Sequence, residues 1–370
     1  MHRVLLISHR YVAKDSRGKA RALAARGLEV TVAVPQRWRE RILGRVVETS
    51  WERQGGVEIF PVQATNPGDA TRYRFATRVL ASLLRDKRPE LIQVEEEIGT
   101  AAARQVVAAA GRVGIPVVVG VQDNVPARRT GSGPFAGWRR RRLLRAVRGV
   151  VAASEGAAGL VRAENDALPV VVIPHVGVPV PPTAEHAAHE GLALGFVGRL
   201  VRRKGLDTLL EALTRHRELH WTLTVVGDGP ERVALESLAS ARRLAARVRW
   251  SGALAPAELA RIWPTLDVLI QPSRSSAEWA EPTGHTLAEA MAHEIAVIGT
   301  SSGATAEVIG DAGLVVPPDD PDQLAQAIGV FADPDHRRSY AEAARARALA
   351  AFSDEAVAER NLQFWGEILK

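Results

Sequence analysis

What most constrains the fold of this chain is an alternation of short apolar runs with helical segments that occurs twice. In the first series, residues 4–7, 29–34, 57–62, 90–94, 116–121, 150–153 and 170–173 are short, rich in Val and Ile, and bounded by Gly, Pro or charge, as buried strands are. Between them, 17–26 (closed by Gly27), 72–85 and an Ala-rich segment ending at Ala110 carry helix-forming composition. The second series places strands at 192–197, 222–226, 248–250, 266–270 and 296–300. Its helices fall at 207–213, 232–244, 256–263 and 286–292. Strand followed by helix followed by strand is the pattern of a parallel sheet, because each return crossing needs a long connection that a helix supplies. Two such series imply two doubly wound α/β domains. Residues 174–189, with Pro179, Pro181 and Pro182 and little periodicity, read as the break between them. The expected division is a first domain at 1–175, a linker at 176–190 and a second domain at 191–353.

Length agrees, since 370 residues exceed one ordinary core and suit two domains of ~150–200 residues. A net charge of +6 and a pI near 10.1, carried mostly by Arg, leave open nucleic acid, an anionic membrane or simple Arg richness. No nucleic-acid motif supports the first, so no nucleic-acid partner is expected. The chain has no cysteine, which excludes disulfides and thiolate metal sites. Histidines show no metal-ligand spacing such as His-Glu-x-x-His, which argues against a zinc hydrolase. The apolar run at 4–7 is too short for a signal sequence, and nowhere are there ~18 consecutive apolar residues to span a membrane. The expected location is cytoplasmic or membrane-peripheral.

The densest chemistry lies at 271–300. A strand there gives way to a loop ending Glu281-Pro282-Thr283-Gly284, and a helix follows. The first amides of a helix have no partner within it and the macrodipole is positive there, so such a start binds anions. Glu281 and Glu289 bracket it, an arrangement suited to a ligand with hydroxyls at both ends and phosphates between. Solvated loop and helix positions would explain the two glutamates equally well. Upstream, Gly198-Arg199-Leu200-Val201-Arg202-Arg203-Lys204-Gly205 reads as a strand end, a glycine turn and a helix start with cations placed for phosphate oxygens. Lys204 is one of only five lysines in the chain, a compact point charge where arginine is otherwise preferred. Gly227-Asp228-Gly229-Pro230 lacks the third glycine of a dinucleotide fingerprint, so it does not argue for NAD.

Together, GRLVRRKG at 198–205, GDGP at 227–230, EPTGHTLAEAMA at 281–292 and SGATAEVIGDAGLVVPPDDPDQLAQAI at 302–328 resemble the retaining glycosyltransferases of the GT4 family. The resemblance implies an α/β chain of GT-B architecture, two facing Rossmann-like doubly wound domains with a deep interdomain cleft. The first would bind the acceptor and the second the nucleotide-sugar, with 354–370 returning to the first domain. The implied reaction moves a sugar from a UDP- or GDP-linked donor to a hydroxyl acceptor with retention, without metal or cofactor. Catalytic positions would be Arg199, Lys204 and Glu281; donor-binding positions would be Gly198, Gly227, Gly284, His285, Thr286, Leu287 and Glu289. Glu281 would hold sugar hydroxyls and Glu289 the ribose, with the base near 249–254, which leaves uridine and guanosine both open. A nucleotide-sugar epimerase and a non-catalytic partner subunit are the alternative functions.

The first half matches the family in pattern only. Gly18, the one glycine in a loop where members often carry a pair, together with Glu97, Gln122 and Asn124, would line the acceptor and sugar side. Gln122 stands where many members have histidine. Lys14, Arg17 and Lys19 are either cations for an anionic acceptor or a solvated loop tip. Residues 138–148 form a basic amphipathic helix, fitted to an anionic membrane or packed as an ordinary solvated face through Leu143, Leu144 and Val147. Asp320-Pro321-Asp322 and Asp333-Pro334-Asp335 have the form of a metal-binding Asp-x-Asp, but a Pro following Asp just ahead of helical sequence is the N-cap arrangement.

Overall fold

The computed structural model describes residues 1–40, 44–126, 136–182 and 189–370. Residues 183–188 of the expected linker lie outside the described residues. The chain divides into two compact units, one made of Met1–Gly177 with Asp354–Lys370 and the other of Val178–Ser353.

The first unit is built on an eight-stranded sheet in the order Val170–Val172, Gly149–Ala152, Val117–Val121, Leu91–Val94, Arg3–Ile7, Glu29–Pro35, Val57–Val62, Glu52–Gln54. All pairings are parallel except the last, where Glu52–Gln54 closes the edge antiparallel against Val57–Val62. The interior strands are buried along almost their whole length, as β-branched runs covered on both faces must be. The helix expected at 72–85 begins only at Thr77 and runs to Lys87. Gln105 explains the delay: its side chain donates to the Phe75 carbonyl and accepts from the Phe75 amide, which holds Arg74–Phe75 extended against Ala64–Thr65. The last helix, Asp354–Ile368, buries Val357, Phe364 and Trp365 in this unit's core.

The second unit has a six-stranded, all-parallel sheet in the order Val248–Gly252, Trp221–Val226, Leu192–Val197, Val268–Gln271, Ala296–Thr300, Leu314–Val316. Its two faces carry separate apolar clusters. Val268, Ile270, Ala296 and Ile298 pack on one face beneath helices Leu206–Leu213, Arg232–Ala241 and Pro321–Val330, while Leu269 and Val297 pack on the other beneath His285–Ala292 and Pro334–Ala351. Alternation along each strand therefore feeds two cores. Asp320 and Asp333 cap the helices that follow them, each accepting from two backbone amides. The helix expected across 256–263 stops at Leu259, and a 3-10 turn spans Trp263–Thr265 around Pro264.

At the centre of the first unit lies a buried polar network. The Lys19 ammonium, 0 % exposed, pairs with Glu95 and donates to the His175 carbonyl at 2.6 Å. Glu95 also accepts from the Tyr11 hydroxyl at 2.7 Å and the Gln93 amide at 2.8 Å, and Gln93 in turn accepts from the Trp365 indole at 2.8 Å. His175 bonds the Val151 carbonyl through Nε2 at 3.1 Å. Burial pushes this imidazole down from 6.5 to about 4, the charges of Arg10 and Lys19 adding to it against the opposing pull of Glu95. Because the folded value lies below the unfolded one, the unfolded chain takes up the proton first as pH falls. Stability tied to His175 is complete above pH 6.5 and is lost as pH drops toward 4. Between pH 7 and pH 4.5 this loss should be about 2–3 kcal/mol, and it should appear as a pH-dependent difference between wild type and His175→Gln in urea unfolding, because the variant lacks it.

Candidate active site

In the second unit the strand order reverses between Leu192–Val197 and Val268–Gln271, the first and fourth strands of that unit in sequence. The loops leaving those two strands therefore run in opposite directions and open a crevice at their carboxyl ends, where ligands bind in sheets of this kind. Lys204 comes from the first loop and Glu281 from the second, and they meet, Nζ to Oε2 at 2.5 Å, with both side chains nearly buried. Ser273 donates to the same oxygen at 3.0 Å. The Trp279 ring lies beneath Arg203 and Lys204, with centroid distances of 5.0 and 5.5 Å. Arg274 fixes the second loop to the first by donating to Asp207 twice at 2.8 Å, to Thr208 at 2.9 Å and to the Arg202 carbonyl at 2.6 Å.

Gly284 sits at φ 58°, ψ 22°, the left-handed region, and starts the helix His285–Ala292 without a side-chain cap. That leaves the helix start to its own dipole. A Cβ at Gly284 would press on Val308 at 2.9 Å, so the position excludes larger residues twice over. Thr286 is half-buried and Leu287 wholly buried on the same turn, while the His285 ring stands 3.5 Å from the Glu289 carboxylate. Gly198 and Gly227 cross back to back: the Gly198 amide donates to the Val226 carbonyl at 2.9 Å, and a Cβ on Gly227, at φ 139°, would overlap the Gly198 carbonyl. Arg199, next to them, is exposed and makes no ion pair or side-chain hydrogen bond with any described residue.

The first unit has the same reversal, between Arg3–Ile7 and Leu91–Val94. Three carboxylates follow the latter strand. Glu95 belongs to the buried network. Glu96 is joined to His9, Nδ1 to Oε1 at 2.7 Å, and that oxygen also accepts from the His9 amide at 2.8 Å and the Tyr73 hydroxyl at 2.8 Å. Burial alone would raise the Glu96 carboxyl, but the hydrogen bonds it accepts from His9 and from the Tyr73 hydroxyl outweigh it and hold it below the usual range. Glu97 accepts the backbone amides of Gln122 and Asp123, and Gln122 in turn accepts from Arg10 at 2.5 Å. Glu97 and Gln122 are thus brought together, with Asn124 beyond them against Gly156.

Two expectations need correction. Lys19 and Arg17 are not offered to a ligand: Lys19 is sealed against Glu95, and Arg17 is buried against Glu52 and the Tyr11 carbonyl. Of these three cations only Lys14 remains exposed. Gly18 faces the Asp354 carboxylate, which a Cβ would overlap, so its smallness serves the docking of the final helix. His9, Glu96, Ser273 and Trp279 were given no individual role from the sequence, although Glu96 stands in the acidic cluster that ends its strand. The available signals were a histidine two residues after the first strand and a tryptophan two residues ahead of Glu281.

Comparison with known proteins agrees with this geometry. Residues 12–175 match the family model described as glycosyl transferase 4-like domain, and 191–333 match that described as glycosyl transferases group 1. The lipopolysaccharide core biosynthesis glycosyltransferase LpsE of Rhizobium meliloti is 32% identical over 170 residues, 45% of this chain and 47% of its own length. The match spans about half the length of such curated relatives. Among solved structures, sucrose-phosphate synthase from Thermosynechococcus elongatus superposes with TM-score 0.74 at 22% identity, covering 100% of this chain and 99% of the other. HepE from Anabaena, solved with UDP, gives TM-score 0.70 at 17% identity over 99% of this chain and 100% of its own; it has also been solved with UDP-glucose. The fold is therefore GT-B, and the chain belongs to the GT4-like group 1 glycosyltransferases.

The Lys204–Glu281 pair has a measurable consequence. Removing the ammonium in Lys204→Met breaks this nearly buried ion pair, at a cost of about 3 kcal/mol. Adding Glu281→Gln should restore most of that loss, so a double-mutant cycle by urea unfolding should show strong coupling. Additive losses would mean the two side chains do not depend on one another.

Proposed function

We propose that this protein transfers a sugar from a nucleoside-diphosphate-sugar to an acceptor hydroxyl with retention of anomeric configuration. The observation that carries this is the meeting of Lys204 and Glu281 beside the uncapped helix start at Gly284. HepE, of the same fold, holds UDP and UDP-glucose, which supports a nucleotide-sugar as donor. As the bond between the anomeric carbon and the diphosphate breaks, negative charge gathers on the leaving phosphate. Lys204 and the first amides of His285–Ala292, fixed in place before the charge appears, would stabilise it, with Arg199 reaching it from the exposed side. Glu281 would accept from sugar hydroxyls and Glu289 from the ribose. With Asp320 and Asp333 engaged as helix caps, the diphosphate is neutralised by protein groups and not by a metal. Release of nucleoside diphosphate from a panel of UDP- and GDP-sugars should persist in excess EDTA. Lys204→Ala, assayed well below its melting temperature, should lower kcat by ~10²–10³. Loss of turnover in EDTA with rescue by Mn²⁺ or Mg²⁺, and a near-normal Lys204→Ala, would overturn this assignment.

The acceptor side includes a surface suited to an anionic membrane, with the protein acting from the cytoplasm. Helix Ala136–Leu144 and the turn after it expose Arg139, Arg141, Arg142, Arg145 and Arg148, with Trp138 60% exposed beside Arg142. Leu144 and Val147 point into the core and Arg140 pairs with Glu164, which fixes the helix with that face outward. No helix among the described residues is long and apolar enough to cross a membrane. Headgroup attraction of ~1 kcal/mol per Arg should make the protein co-sediment with phosphatidylserine-containing vesicles and leave them as salt rises. Equal partition onto neutral vesicles would refute the membrane reading.

A further inference from the structure

The two units repeat one device. In each, a side chain from the loop after the first strand is tied to a glutamate from the loop after the strand that pairs with it across the point where strand order reverses: Lys204 to Glu281 in the second unit, His9 to Glu96 in the first. The first-unit pair has no role in the donor chemistry above. Its construction is that of an oriented imidazole. Glu96 is buried and its Oε1 lies 2.7 Å from Nδ1, placed to accept from it, with the Tyr73 hydroxyl and the His9 amide donating to the same oxygen. Trp38, at 4.6 Å between ring centroids, and Tyr73, edge-on at 6.0 Å, fix the plane of the ring. A carboxylate on one ring nitrogen sets the tautomer, so the other nitrogen carries a lone pair. Nε2 of His9 has no partner among the described residues and is not sealed from solvent, the side chain being 19% exposed.

We infer that His9, oriented by Glu96, is the hydrogen-bond acceptor for a hydroxyl of the acceptor substrate. The assignment rests on the proposed sugar transfer and names the class of group bound: an alcohol that donates to an imidazole lone pair at the carboxyl edge of the first unit's sheet. Neighbouring polar groups suit a polyhydroxy compound, since Arg10 and Gln122, bonded to each other, lie on the same edge and can meet further hydroxyls.

The test uses the full chain and three variants. His9→Phe keeps the ring packing on Trp38 and removes the nitrogen; His9→Gln supplies an amide oxygen that can accept in its place; Glu96→Gln weakens the orientation. Release of nucleoside diphosphate from the best-used sugar donor is measured with water and with a panel of simple sugars as acceptors, alongside UDP and GDP affinity. His9→Phe should lower kcat about 10–100-fold with the donor KM and nucleotide affinity within twofold of wild type, and His9→Gln should recover part of the loss. Histidine nitrogen NMR of wild type should show the His9 signals as one protonated Nδ1 and one bare Nε2, a preference lost in Glu96→Gln. Wild-type turnover in His9→Phe, or a bare Nδ1, overturns the inference. Should wild type release nothing from any donor while still binding UDP or GDP, the transfer reading itself fails, and the inference with it. If His9→Phe does not fold, His9→Gln and Glu96→Gln decide: unchanged kcat in both is a refutation.

Discussion

Three successive carboxylates end the strand Leu91–Val94, and much of the first unit is arranged around giving each its own donors. Glu95 turns inward to Lys19, Tyr11 and Gln93; Glu96 takes His9 and Tyr73; Glu97 takes the backbone amides after the next strand. Burying a carboxylate without such partners would cost several kcal/mol, a large share of a domain's ordinary stability. The requirement reaches far along the chain, because the Glu95 network runs through Gln93 to Trp365, and Gly18 is small so that Asp354 can seat the same final helix.

The second unit meets a related constraint with less charge. Pairing Lys204 with Glu281 spares both the cost of burial, yet it also offsets the positive charge that Lys204 can offer a diphosphate. Arg199 is the cation left without such an offset, since it has no ion partner among the described residues. The uncapped start at Gly284 supplies positive potential of another kind, fixed in the backbone and carrying no burial cost for a side-chain charge.

In both units the crevice follows from topology before it follows from side chains. Reversal of strand order sends two loops apart, and a hydrogen-bonded pair from those loops then bridges the gap they leave. Arg274 and Glu97 play similar parts in this, each fixing one loop to its neighbour by several hydrogen bonds.

The sequence alone determined the alternation of strand and helix, the two sheets it builds, and the helix start at Gly284, because those depend on period, on glycine and on residues near in sequence. The caps at Asp320 and Asp333 were legible for the same reason: Asp followed by Pro is a local instruction. Only the tertiary structure decided which charges face a ligand. Lys14, Arg17 and Lys19 read alike as loop cations, yet Lys19 finds Glu95, 76 residues away, and vanishes into the core. His9 and Glu96 lie 87 residues apart and acquire a joint meaning only because their strands are neighbours in the sheet. Periodicity records which face a residue occupies, but the partner that neutralises a buried charge is chosen by strand order, which local sequence does not encode.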